Sequence, residues 1–84
     1  MKNPALYNAI LRILRRLDTG LKEETLASET TVATDNPRLT TNEFSDALLF
    51  LEQKALVEKF YNLIGERCWG ITDLGRAHLA ELDG

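Results

Sequence analysis

The chain of 84 residues has a single cysteine, Cys68, and a single histidine, His78. One cysteine excludes an internal disulfide, and an intracellular, cytoplasmic setting is the default expectation. Long hydrophobic runs are missing too. The longest is the five residues Ala47 to Leu51, against the roughly 20 needed to span a bilayer. The opening MKNPALYNAILRILRRL carries arginines inside its apolar pattern and no small-residue cleavage site, so a secretory signal is not expected. No glycine-rich phosphate loop occurs. Cys68 and His78 stand ten apart with neither metal-ligand spacing nor an orienting third group, so neither a metal site nor a nucleophile is assembled. Enzyme chemistry, a metal and a cofactor are therefore not expected. A basic excess is also lacking: 10 Lys and Arg face 13 Asp and Glu, a net charge of -3. Residues 1 to 42 hold six basic and five acidic groups, and residues 43 to 84 hold four and eight.

What remains is ordinary for a small folded protein, with 44% hydrophobic and 27% charged residues. One domain over residues 1–84 is expected. The strongest local signal is TTNEFSDALLFLEQK, Thr40 to Lys54. Thr40 and Glu43 have capping-box spacing. Phe44, Ala47, Leu48 and Leu51 then fall on one stripe, with Asn42, Glu43, Asp46, Gln53 and Lys54 largely opposite. Upstream, Asn3-Pro4 predicts a helix start and a first helix to Leu17. Its inner stripe is Leu6, Ile10, Ile13, Leu14 and Leu17, while Tyr7 and Leu11 extend the apolar surface around a second flank. Arg12, Arg15 and Arg16 cluster at the end of this helix, where they complement its dipole or contact phosphate.

Asp18-Thr19-Gly20 predicts a stop, Leu21 a return to the core, and Lys22 to Ala33 a weaker, threonine-rich second helix. Its apolar residues are Leu26, Ala27, Val32 and Ala33. Asp35-Asn36-Pro37 breaks the chain before the third helix. Beyond it, Ala55 takes a turn and Leu56 to Ile64 forms a strand. Gly65-Glu66 suits a two-residue hairpin turn, pairing Phe60 with Ile71, Asn62 with Trp69, Tyr61 with Gly70 and Leu63 with Cys68. Phe60, Trp69 and Ile71 then cover the helices, and Tyr61 and Leu63 look outward. A final helix follows Thr72-Asp73, with Leu74, Leu79 and Leu82 inward and Gly75 placed for a close approach to helix one.

Phe44-Ser45-Asp46-Ala47-Leu48, Leu51-Glu52, Leu56-Val57 and Trp69-Gly70-Ile71-Thr72-Asp73-Leu74-Gly75-Arg76 together resemble the winged-helix superfamily, and small bacterial or phage regulators within it. The resemblance covers nearly the whole chain. It implies an α+β fold: a three-helix core, a C-terminal two-stranded β-hairpin wing and a short final helix. It also implies binding of double-stranded DNA with the third helix in the major groove, and because one domain this size offers few base contacts, a homodimer is expected. Thr41, Asn42, Ser45 and Asp46 then lie nearest base edges, and Arg38, Lys54, Lys59 and Arg67 hold phosphates. Asp46 departs from the superfamily, many of whose regulators carry a basic residue there, and Leu63 and Ile64 replace the usual basic wing tip. These departures point to the alternative of a protein–protein interaction module. Tyr7, Leu11, Tyr61 and Leu63 are the candidate interface residues for a second copy or another protein.

Overall fold

The computed structural model describes residues 3–17 and 19–83; of the expected Asp18-Thr19-Gly20 stop, Asp18 lies outside them. The elements in order are α1 (Pro4–Arg15), β1 (Leu21–Lys22), α2 (Glu23–Thr34), α3 (Thr41–Gln53), β2 (Val57–Tyr61), β3 (Arg67–Ile71) and α4 (Asp73–Asp83). The three strands form one antiparallel sheet in the order β1-β3-β2.

Helix α1 starts where Asn3 Oδ1 accepts from the Leu6 amide at 3.2 Å, with proline in the first turn. It ends two residues before the expected Leu17, which is exposed. In α2 the threonines are compatible with a helix because their hydroxyls find backbone acceptors one turn back. Thr30, fully buried, donates to Leu26 O at 2.6 Å, Thr31 to Ala27 O at 3.0 Å and Thr34 to Thr30 O at 2.8 Å. Asp35 then adopts a left-handed conformation and closes the helix. Of the residues expected to supply apolar content, Leu26 is buried while Val32 and Ala33 are exposed, and Thr30 joins Leu26 on the inner face.

The core joins Leu6, Ile10, Leu11, Ile13 and Leu14 of α1 to Leu26 of α2, to Phe44, Ala47, Leu48 and Leu51 of α3, and to Val57, Trp69 and Leu79. Leu11 is therefore core, fully buried, and not the surface flank expected of it. Helix α1 passes between α2, β3 and α4, so its second apolar flank is covered within the monomer.

The hairpin differs most from expectation. Val57 pairs with Ile71, Lys59 with Trp69, Phe60 with Cys68 and Tyr61 with Arg67. This is three residues away from the expected register, and an odd slip exchanges the faces. The cause is Asn62. Its Oδ1 accepts from the Ile64 amide at 3.1 Å and the Glu66 amide at 2.9 Å, and its Nδ2 donates to Glu66 Oε1 at 3.0 Å. These bonds make a five-residue loop, 62–66, of what reads as a two-residue turn. Trp69 and Val57 consequently face the helices, whereas Phe60 turns to the opposite face and closes over Gly20. Gly20 has a φ of +80° and so little space that an added Cβ would lie 2.8 Å from Phe60. The adjacent β1 edge, Leu21 to Trp69 and Lys22 to Cys68, converts the expected two-stranded hairpin into a three-stranded sheet.

At the end of α3, Ala55 takes a φ of +61° and starts the connection. Thr72 ties this connection to α4. Its hydroxyl donates to Ala55 O at 2.6 Å and accepts from the Gly75 amide at 3.0 Å. The close approach at Gly75 is thus to Leu56 O and the Ile71 side chain, not to α1 as expected. That contact fixes the rotation of α4. Gly75 and Leu79 face inward; Leu74, about 100° from Gly75 in angle, and Leu82, in the last turn of the helix, are left exposed where the sequence had placed them inside.

Candidate nucleic-acid interface

Helix α3 begins at Thr40, whose Oγ1 accepts from the Glu43 amide at 3.1 Å and donates to Glu43 Oε1 at 3.1 Å. The carboxylate thus meets the threonine hydroxyl, a variant of the expected capping box. Phe44, Ala47, Leu48 and Leu51 hold the helix to the core. Asn42, Asp46, Leu49 and Gln53 recur at steps of four, three and four along the opposite side, and all are exposed. Leu49, in the middle of this ridge, is 53% exposed. Leu49 and Gln53 are not among the residues expected at the site, although the spacing that begins at Asn42 and Asp46 already includes both.

Thr41 is exposed at the first turn and Ser45 is half-buried beside the ridge. Ser45 lines a cleft of about 130 Å3 with Glu23, Leu48, Leu49, Glu52, Lys59, Arg67 and Trp69. The structure thereby brings Ser45, Lys59 and Arg67 together, one from α3 and two from the hairpin. Arg67 is half-exposed and paired: its guanidinium lies 3.6 Å from Glu23 Oε1. A hydrogen bond to Tyr61, and next the charge of Glu23, push the Arg67 pKa above its ordinary value, so the group is a fixed cation. Arg38 is exposed in the segment before α3, its amide donating to Asn36 Oδ1 at 3.1 Å.

Lys54 leaves this group. It is the C-terminal cap of α3, with its ammonium 5.7 Å from the centroid of Phe50. There it borders a groove of about 370 Å3 between α1, α3 and α4, lined also by Tyr7, Leu56, Leu74 and His78. Tyr7, one of the candidate interface residues, is half-buried there and stacks on Phe50 with ring centroids 4.6 Å apart. Arg12 and Arg15 are also engaged elsewhere, on Asp83 of α4 at 2.8 and 3.0 Å. At the hairpin tip, Tyr61 is exposed, Leu63 is fully exposed and Ile64 is 80% exposed. Lys22 lies 3.6 Å from Glu66.

No protein-family model matches the sequence. No curated protein is similar to it. Among solved structures, the crystal structure of the PcaV transcriptional regulator from Streptomyces coelicolor, in complex with its natural ligand, superposes with a TM-score of 0.70 at 18% identity. The match covers 88% of this chain and 48% of that one. The chain has a winged-helix fold. In the terms of that fold, α3 is the third helix of the core and β2, β3 and the 62–66 loop are the wing. This chain spans about half the length of the regulator it resembles, and at this identity the likeness concerns the fold alone. Among the described residues no helix is long and apolar enough to cross a membrane, and no group of three or more His, Cys, Asp or Glu is placed to hold a metal.

Proposed function

We propose that the chain acts as a single winged-helix domain that binds double-stranded DNA, as a cytoplasmic transcriptional regulator working as a homodimer. The observation that carries this reading is the solvent-open ridge Asn42-Asp46-Leu49-Gln53 on a capped helix, with Lys59 and Arg67 beside it. The helix offers side chains to base edges in the major groove, and the two wing cations and Arg38 meet phosphate. The domain carries no catalytic step in this reading. With a net charge of -3, non-specific affinity is weak, and salt sensitivity comes from a few local cations. Titration of a labelled duplex at two salt concentrations tests it: binding at micromolar protein that weakens with salt is expected, and its absence at low salt removes the reading.

One observation favours a second reading, a protein contact made by the wing. Leu63 and Ile64 are held out in solvent by a loop that Asn62 has fixed, where phosphate binding calls for a cation. A homodimer built through Tyr61 and Leu63 would use the same tip. Light scattering on the wild type and on the Leu63→Ser, Ile64→Ser variant tests it. A dimer that falls to a monomer on substitution supports the wing as the interface, and a monomer in both removes the wing as a contact between copies of this chain.

A further inference from the structure

We propose that Asp46 and Leu49 are the sequence-reading pair of α3, and that they select a cytosine and a neighbouring thymine in the major groove. This rests on the DNA-binding reading above. The two residues are one turn apart on the exposed ridge, about 4.5 Å along the helix axis, so a helix lying in the groove sets them over neighbouring base pairs. Each has chemistry that only part of the base alphabet satisfies. The Asp46 carboxylate is an acceptor only. Facing guanine, whose major-groove edge presents two acceptors, it would be repelled; facing cytosine, it accepts from the exocyclic amine. An acidic group on the DNA-facing side lowers affinity for every duplex that does not supply such a donor, so it acts chiefly by rejecting wrong sequences.

Leu49 has no polar group and is 53% exposed in the centre of the ridge, where it offers only apolar contact. In the major groove the apolar feature that distinguishes a base is the thymine methyl. Asn42 and Gln53, at either end of the ridge, carry amides that both donate and accept, which matches adenine. The ridge holds neither arginine nor lysine, so the guanidinium–guanine contact that dominates many interfaces is not available to it.

The experiment is a selection by the full chain at low salt from duplexes with a randomised central segment, followed by titration of the enriched duplex. Sites with adjacent cytosine and thymine are expected. Replacing that thymine by deoxyuridine, which removes the methyl alone, should weaken wild-type binding about fourfold, and should leave Leu49→Ala binding unchanged. Discrimination against guanine at the cytosine position, about tenfold or more in the wild type, should vanish in Asp46→Asn. Both substitutions lie on the surface, and thermal unfolding checks that the fold is intact. Enrichment of guanine at these positions, or equal wild-type binding to thymine and deoxyuridine, overturns the assignment while leaving DNA binding in place. Retention of no duplex at any salt overturns the DNA-binding reading itself, and with it this one.

Discussion

The indole Nε1 of Trp69 donates to Oε1 of Glu23 at 2.8 Å, joining the middle of β3 to the first residue of α2 across 46 positions of sequence. Trp69 is buried and its N–H bond to Glu23 is half-buried. The same carboxylate oxygen receives Arg67 at 3.6 Å, and Glu23 sits in the first turn of α2, where negative charge is favourable. Glu23→Ala should therefore destabilise the fold by about 1–3 kcal/mol, the cost of leaving a buried donor unsatisfied. Glu23→Gln, which keeps an acceptor for the indole, should lose less. Urea unfolding followed by tryptophan fluorescence measures both, and equal losses would show that charge and not the hydrogen bond matters.

Asn62 organises the wing loop through two accepted bonds and one donated bond, all between 2.9 and 3.1 Å. Asn62→Ala should free the Ile64 and Glu66 amides and speed their hydrogen exchange, with a loss of global stability of only about 1 kcal/mol. If the exchange of those two amides is unaltered, the loop is held by its backbone bonds, from Gly65 N to Asn62 O and from Asn62 N to Glu66 O.

Signals confined to a few neighbouring residues could be read from the sequence. The caps at Asn3 and Thr40 and the stripe Phe44-Ala47-Leu48-Leu51 need only local spacing, and all are present in the structure. What depended on choosing between remote partners was not legible. The hairpin register turned on whether Gly65 or the Asn62 side chain governs the loop, and that choice moved Phe60 from one face of the sheet to the other. The two-residue strand β1 is too short to carry a period of its own and exists only by pairing with β3. Of the candidate site, Thr41, Asn42 and Asp46 are exposed along α3, whereas Ser45 is half-buried beside the ridge. Lys54 leaves them, because the C-terminal cap of α3 rotates it toward Phe50 and away from the ridge.

Gly75 should tolerate no side chain. A Cβ there would meet Leu56 O and would lie 2.7 Å from the Ile71 side chain. Alanine gains up to about 1 kcal/mol of helix propensity over glycine, but overpacking against a backbone carbonyl costs about 1–3 kcal/mol. Gly75→Ala should thus be net destabilising, opposite in sign to the usual effect inside a helix. A raised unfolding midpoint would mean that α4 shifts easily and that its rotation is not fixed at this contact.

The corner between α1 and α4 should weaken in acid. Asp83 accepts from Arg12 and from Arg15, each at 3.0 Å, and these two bonds, Arg12 first, hold its carboxyl below its ordinary value near 3.8. A carboxylate whose pKa is lower in the folded state than in the unfolded chain stabilises the fold fully above the unfolded value, and that contribution disappears as pH falls through the folded one. The window therefore opens near pH 4 and extends downward. All three side chains are well exposed, so solvent screening keeps the contribution small and salt-sensitive. In thermal unfolding, Asp83→Asn should lower the midpoint slightly at pH 7 in low salt. The difference from wild type should shrink in high salt and vanish below the folded pKa. A gap between the two proteins that persists unchanged at pH 2 would mean that the substitution acts on the packing of α4 and not through the arginine pair.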